Sequence, residues 1–133
     1  MSLTEAQRDF LNEPRFAVLA TLNKHNKIQQ TVMWYKLDGD VILMNTAKGR
    51  TKFANVEANP SVSVCIDDGY RFVTIQGTVT LETNPELNKS DIFTVGSRYS
   101  TQAELDEMYE NGWKNQERIS LRISIDHVIT NGF

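Results

Sequence analysis

Apolar and polar positions change period near residue 16 of the chain. Before it, Thr4-Glu5-Ala6-Gln7 places a hydroxyl at a helix entry with a glutamine three residues on, the pairing of a capping box. The predicted helix runs to about Asn12 and stops ahead of Pro14, because the residue before a proline is pushed out of the helical region. Ala6, Phe10 and Leu11 are expected to dock on the body of the protein, and Met1-Ser2-Leu3 reads as a leader without structural weight. After residue 16 the period is two. The pattern predicts a nearly continuous apolar strand over residues 16–22, a polar turn over 23–27 and a long strand over 28–37. Asp38-Gly39 suits a hairpin turn, since both residue types tolerate positive φ, and a short buried strand follows over 40–45. Residues 46–59 read as a helix closed by Pro60.

The second half repeats the alternation. Val62, Val64 and Ile66 alternate with Ser61, Ser63 and Cys65, and Asp67-Asp68-Gly69 makes the next turn. Over residues 71–81, Val73, Ile75, Val79 and Leu81 line one face and Thr74, Gln76, Thr78 and Thr80 the other. Gly77 interrupts the apolar face and predicts a bulge or sharp bend. Residues 84–112 are polar and helical, and Ile119, Leu121, Ile123 and Ile125 form a last alternating strand. Six strands with hairpin turns and no βαβ rhythm predict a mainly-β fold. The expected architecture is one domain over residues 1–133, a six-stranded antiparallel barrel with flanking helices.

Composition narrows the class. With 133 residues, 40% hydrophobic and 23% charged, the chain fits one globular domain and not a disordered or low-complexity segment. The apolar runs at 16–20 and 41–44 fall well short of the roughly 20 residues a spanning helix needs, so no membrane role is expected. No basic segment followed by an apolar stretch opens the sequence, which suggests a cytoplasmic protein. The lone Cys65 excludes an internal disulfide and is expected to be a buried strand residue. A net charge of −3 speaks against nucleic acid as a partner.

That charge is unevenly spread. No acid lies between Asp40 and Glu57, while Lys48, Arg50 and Lys52 fall close together. In Asn45-Thr46-Ala47-Lys48-Gly49-Arg50-Thr51-Lys52 a buried strand leads into a helix entry, where unpaired backbone N–H groups and the macrodipole favour an anion. Thr46 and Thr51 add hydroxyls, and Gly49 permits close approach to the backbone. The segment suits a phosphate. It is not a Walker loop, whose glycine spacing and Gly-Lys-Ser/Thr order are missing. The alternative is a solvated basic helix face with Thr46 as an ordinary cap. Other candidates carry less chemistry. His25 and His127 are isolated, with no paired carboxylate. Glu104, Asp106, Glu107 and Glu110 form a solvated acidic face. No Ser-His-Asp set and no metal-ligand cluster can be read from the spacing.

The order of these segments resembles a known family. The strand over 28–37, the Asp-Gly turn and the apolar strand over 41–44 lead to Gly49-Arg50-Thr51-Lys52-Phe53-Ala54-Asn55-Val56 and then Asn59-Pro60-Ser61-Val62-Ser63-Val64. Together they are similar to the split β-barrel, FMN-binding-like flavin and deazaflavin oxidoreductases of the pyridoxamine 5′-phosphate oxidase-like superfamily. The Gly-Arg-x-Lys-x-x-Asn stretch looks most like the branch that uses coenzyme F420. Similarity covers residues 14–82 and returns over 119–133, whereas 85–117 matches no motif. The resemblance implies that Arg50 and Lys52 hold a cofactor phosphate together with groups at Asn45 and Thr46. It implies that Gln30, Thr31, Val32, Met33 and Trp34 pass beside the cofactor ring. It also implies a homodimer with the cofactor at the subunit interface, for which Trp34, Tyr70 and Trp113 offer apolar surface. The oxidase that gives the family its name has a longer C-terminal segment, so a chain ending at Phe133 is expected to lack that activity.

Strand alternation puts Val32 and Trp34 on one side and Met33 and Tyr35 on the other, and soft or flat side chains of this kind suit an aromatic ring. Packing within the core or an interface is the other reading of the same residues. The leading expectation is an oxidoreductase that binds F420 and passes a hydride to a small electron-poor redox substrate, the cofactor carrying the hard chemistry. Lys48 is read as favouring the longer anionic tail of F420 over FMN. An FMN flavoprotein and a non-catalytic cofactor-binding protein are the alternatives.

Overall fold

The computed structural model describes residues 2–133. In chain order they form α1 (Glu5–Asn12), β1 (Ala17–Leu22), β2 (Ile28–Met33), β3 (Lys36–Asp38), β4 (Val41–Ala47), α2 (Thr51–Ala58), β5 (Ser61–Asp67) and β6 (Phe72–Leu81). Then follow α3 (Pro85–Gly96), α4 (Gln102–Asn111), a 3-10 turn (Trp113–Asn115), β7 (Arg118–Ser124) and β8 (His127–Asn131). All strand pairings are antiparallel, in the order β2-β1-β5-β6-β7-β4-β3, with β8 added on β6. The described residues thus form eight strands, not six.

The two extra strands have separate causes. The chain beyond Ile125, where the last expected strand ends, forms β8 and pairs with the first half of β6. The expected strand over 28–37 breaks at Trp34-Tyr35, because β2 pairs with β1 at one edge of the sheet and β3 pairs with β4 at the other. Two residues therefore join the edges, and the sheet must curl to bring them together, in keeping with a split barrel. At the break, side chains replace the ladder. The Tyr35 N–H donates to Tyr99 Oη at 3.2 Å, and the Tyr35 carbonyl accepts from Tyr99 Oη at 3.1 Å and from Arg98 Nη1.

The Thr4–Gln7 capping box forms as predicted, with reciprocal bonds of 2.9 and 3.2 Å. Phe10 and Leu11 of α1 are buried, but Gln7 takes the inward place expected of Ala6, which is exposed. Leu3 also belongs to the core, so the leader reading fails there; Met1 lies outside the described residues. The barrel interior is filled by inward strand residues such as Leu19, Ile42, Val64, Ile75 and Leu121, with the Tyr35 ring among them. Tyr35 Oη donates to the Leu11 carbonyl at 2.8 Å, tying α1 to the core.

Gly77 marks where β6 changes partner. Residues up to Gln76 pair with β8, and those from Val79 pair with β7. A Cβ at Gly77 would overlap the Ser124 carbonyl oxygen and come within 2.8 Å of Ile123 Cγ2. The glycine predicted from its gap in the apolar face is thus needed for close backbone approach at a bend. Cys65 faces outward on β5 and is half-buried, not buried. No helix among the described residues is long and apolar enough to cross a membrane.

Candidate functional site

β4 carries Asn45, Thr46 and Ala47 to one end of the barrel, where the chain turns through Lys48, Gly49 and Arg50 before α2. The helix begins at Thr51, not at Thr46. Thr46 pairs with Ile119 and Ala47 with Arg118, so ladder bonding to β7 extends the strand past the point where the sequence suggested a cap. Gly49 supplies the turn at φ 98°, and the Arg50 N–H returns to the Ala47 carbonyl at 3.2 Å. Arg50 occupies the N-cap position, and its side chain makes no cap hydrogen bond.

This geometry gathers most of the expected site residues into one cleft of about 400 Å³. Thr31, Val32, Met33 and Trp34 form one wall, and Asn45, Thr46, Arg50 and Lys52 form another. Gln30, Lys48 and Thr51 lie outside it. Gln30 is exposed on β2, and Thr51 is exposed as the first residue of α2. Lys48 is paired with Glu117 at 2.6 Å, on the rim of a neighbouring cavity. Met33 presents mainly to the barrel core, whereas the Trp34 ring is half-buried beside the cleft and packs against Gly96 of α3.

The sequence reading took Trp113 only as dimer surface and did not single out Arg118, Ile92 or Val95; these four complete the lining. Arg118 opens β7, directly opposite Ala47. Its Nε donates to Asn45 Oδ1 at 3.0 Å and its Nη1 to Gln116 Oε1 at 2.7 Å, leaving Nη2 without a partner among the described residues. The only local signal is a basic residue at the head of an alternating strand, and such residues are commonplace.

Arg50, Lys52 and Arg118 thus converge without an acid bound to any of them among the described residues. Whereas Arg50 is exposed, Lys52 is only 7% exposed. Its ammonium pKa is pulled below the ordinary 10.5 first by burial, then by Arg50 and Arg118. Burial, with repulsion from Arg50, lowers the Arg118 guanidinium to about 10. Lys52 is buried, Arg118 half-buried and Arg50 exposed. A buried charge is normally paired, so a buried lysine beside two further cations on one cleft fits an anion. Thr46 is a buried residue, and its hydroxyl, with no hydrogen bond to the described residues, adds a donor at the same wall.

Beyond Arg118 lies a cavity of about 740 Å³ with aromatic walls from Phe53, Tyr109 and Trp113. It shares Ile92, Trp113 and Arg118 with the cleft, so the two spaces meet at the cation cluster. No group of His, Cys, Asp and Glu among the described residues could hold a metal ion, and His25 and His127 are both exposed.

A curled antiparallel sheet with a cation-lined cleft at one end is consistent with a split barrel. Residues 3–132 match the model of the pyridoxamine 5′-phosphate oxidase family, and the chain belongs to that family. Among solved structures it is similar to an F420 reductase, with a TM-score of 0.76 and 22% identity over 96% of this chain and 98% of that one. A conserved hypothetical protein, Rv2991 from Mycobacterium tuberculosis, gives 0.79 and 25%, covering 98% and 85%. HutZ, the heme storage protein from Vibrio cholerae, gives 0.75 and 18%, covering 100% and 97%. No curated protein sequence matches the chain.

Proposed function

We propose that this protein is an oxidoreductase that binds coenzyme F420 through its phosphate and reduces a small electron-poor organic acceptor. The observation that carries the reading is the trio Arg50, Lys52 and Arg118, facing one cleft with no acid among the described residues paired to them. When bound, the deazaflavin would supply the hydride. Arg50 and Lys52 anchor the phosphate, Arg118 adds its free Nη2 edge, and Thr46 offers a hydroxyl. Trp34 and the backbone of residues 31–34 support the ring. None of these side chains is placed to act as a strong general acid, and a hydride acceptor of this class needs none supplied in a fixed position.

The similarity to an F420 reductase supports F420 over FMN, although at 22% identity it is a likeness of fold. The cavity beyond Arg118 also supports it. FMN ends at its phosphate, whereas F420 continues past it, and the shared Arg118–Trp113 boundary leaves room for that continuation. Lys48 takes part only as the ion-paired rim of that cavity. A homodimer belongs to the same proposal. On β2, Ile28 and Val32 are 72% and 64% exposed, an apolar edge beside the cleft that a second subunit would cover.

Titration of the purified protein with F420 and with FMN, followed by an assay of reduced F420 with a quinone acceptor, tests this function. Tighter F420 binding with acceptor-dependent oxidation is the expected result. Tighter FMN binding would assign a flavoprotein instead, and binding without turnover of any acceptor would assign a carrier. Sedimentation velocity tests the dimer.

A further inference from the structure

Asn45 lines the cleft, yet both protons of its amide are already used. Nδ2 donates to the Asn88 carbonyl at 2.9 Å and to Ser120 Oγ at 3.0 Å. Those two acceptors fix which way the amide points, so Oδ1 must face Arg118, whose Nε it accepts at 3.0 Å. Ser120 is free to accept because its own proton goes elsewhere: Oγ donates to Asp91 Oδ2 at 2.7 Å. Asp91 also accepts from Arg122 Nη2 at 2.9 Å, and Arg122 in turn pairs with Glu82. Asn45, Ser120 and Asp91 are all buried, so the chain is shielded from competing water. An ionised carboxylate can only accept, which gives the chain a fixed direction from Arg118 to Asp91.

We infer that Asn45 is not an anion ligand but a positioning residue, which with Ser120 and Asp91 holds the Arg118 guanidinium so that Nη2 faces the cleft. The inference rests on the proposal that Arg118 contacts the bound anion. In effect, a carboxylate on α3 sets the direction of a guanidinium at the head of β7, through one hydroxyl of β7 and one amide of β4. Gln116 on Nη1 fixes the second point of the fork, leaving little rotational freedom to the third.

The test is a double-mutant cycle on affinity for two probes, FMN and inorganic phosphate, measured by calorimetry with thermal unfolding recorded for every variant. Asn45→Ala, Ser120→Ala and Asp91→Asn are each made alone and in an Arg118→Ala background. The expected result is a roughly tenfold loss of affinity for Asn45→Ala, with smaller losses for the other two. All three losses should fall below about twofold once Arg118 is gone, because they act through it. A purely structural role predicts the same fold-loss in both backgrounds, and that result overturns the inference. So does unchanged affinity in a folded Asn45→Ala protein. If Asn45→Ala does not fold, Ser120→Ala and Asp91→Asn give the same cycle with smaller changes in volume. Should Arg118→Ala alone leave affinity unchanged while Lys52→Ala reduces it, the assignment of Arg118 to the anion fails and the positioning role falls with it. Should neither matter, the anion site itself is misplaced.

Discussion

Trp34 lies face to face with Tyr99, their ring centroids 5.0 Å apart and their planes 8° from parallel. Phe16 stacks on Tyr99 as well, at 5.7 Å and 14°. The three rings form a column whose Trp34 end borders the cleft, and Tyr99 supports it from the point where β2 gives way to β3. The Tyr99 hydroxyl donates to the Arg15 carbonyl at 2.6 Å and also serves both backbone groups of Tyr35. Tyr99→Phe keeps the stack and removes these bonds. It is expected to cost about 1–3 kcal/mol of stability, since the Tyr35 N–H and the Arg15 carbonyl lose their partner while the Tyr35 carbonyl keeps Arg98. Urea unfolding checks this, and a change below about 0.5 kcal/mol would contradict the assignment.

Removing either anchor should weaken anion binding. Arg50→Ala and Lys52→Ala are each expected to cost about 1.5–3 kcal/mol of cofactor affinity, the scale of a charged hydrogen bond. Unchanged affinity in both would remove the proposed anchor.

Stability should move the other way at Lys52. The Lys52 side chain is buried beside two like charges, with no counterion among the described residues, so Lys52→Met is expected to raise the unfolding midpoint of the ligand-free protein. Calorimetric scans of the two proteins without ligand make the comparison. A lower midpoint would mean that the ammonium is satisfied in the folded state.

Alkaline pH should loosen the ligand. Lys52 titrates below 10.5 and Arg118 at about 10, and the binding-competent form carries both protons. Affinity for inorganic phosphate is therefore expected to be lowest at the top of the range, falling as pH rises through the lowered values. For the free protein the sign is opposite: the unfolded chain holds the Lys52 proton longer, so this group contributes rising stability between its folded value and 10.5. Binding titrations from pH 8 to about 10.5, near the ordinary lysine value, show the first trend. A flat profile would argue against a protonated lysine in the site.

At Gly77 the β6 backbone touches β7. Gly77→Ala is expected to give little folded protein, because the added carbon would overlap a carbonyl oxygen that cannot swing away as a side chain would. Soluble yield and circular dichroism decide this. Near-native stability would show that the strands can separate there.

Much of the fold was legible because its signals are local. Thr4 and Gln7 are three residues apart and cap one helix, and Gly77 stands out against its own strand. The cation-bearing segment was also visible as a stretch of chain free of acids. The failures share a different cause, namely partners distant in sequence. Thr46 looks like a cap until Ile119 claims its backbone, and Arg118 has no meaning until strand register sets it opposite Ala47. The break at Trp34-Tyr35 is equally hidden, since Arg98 and Tyr99, which satisfy it, lie in a region where no motif was found. Lys52 looked like surface because lysine usually is, and only the packing of α2 shows otherwise.

The uncompensated charge around Lys52 has a bearing on the life of the protein in a cell. A chain that folds against its own repulsion gains from an occupant that neutralises it, by an amount that grows with the occupant's concentration. With the proposed cofactor as that occupant, the fraction exposed to proteases would depend on its supply. When the supply fails, the empty protein is the species removed first.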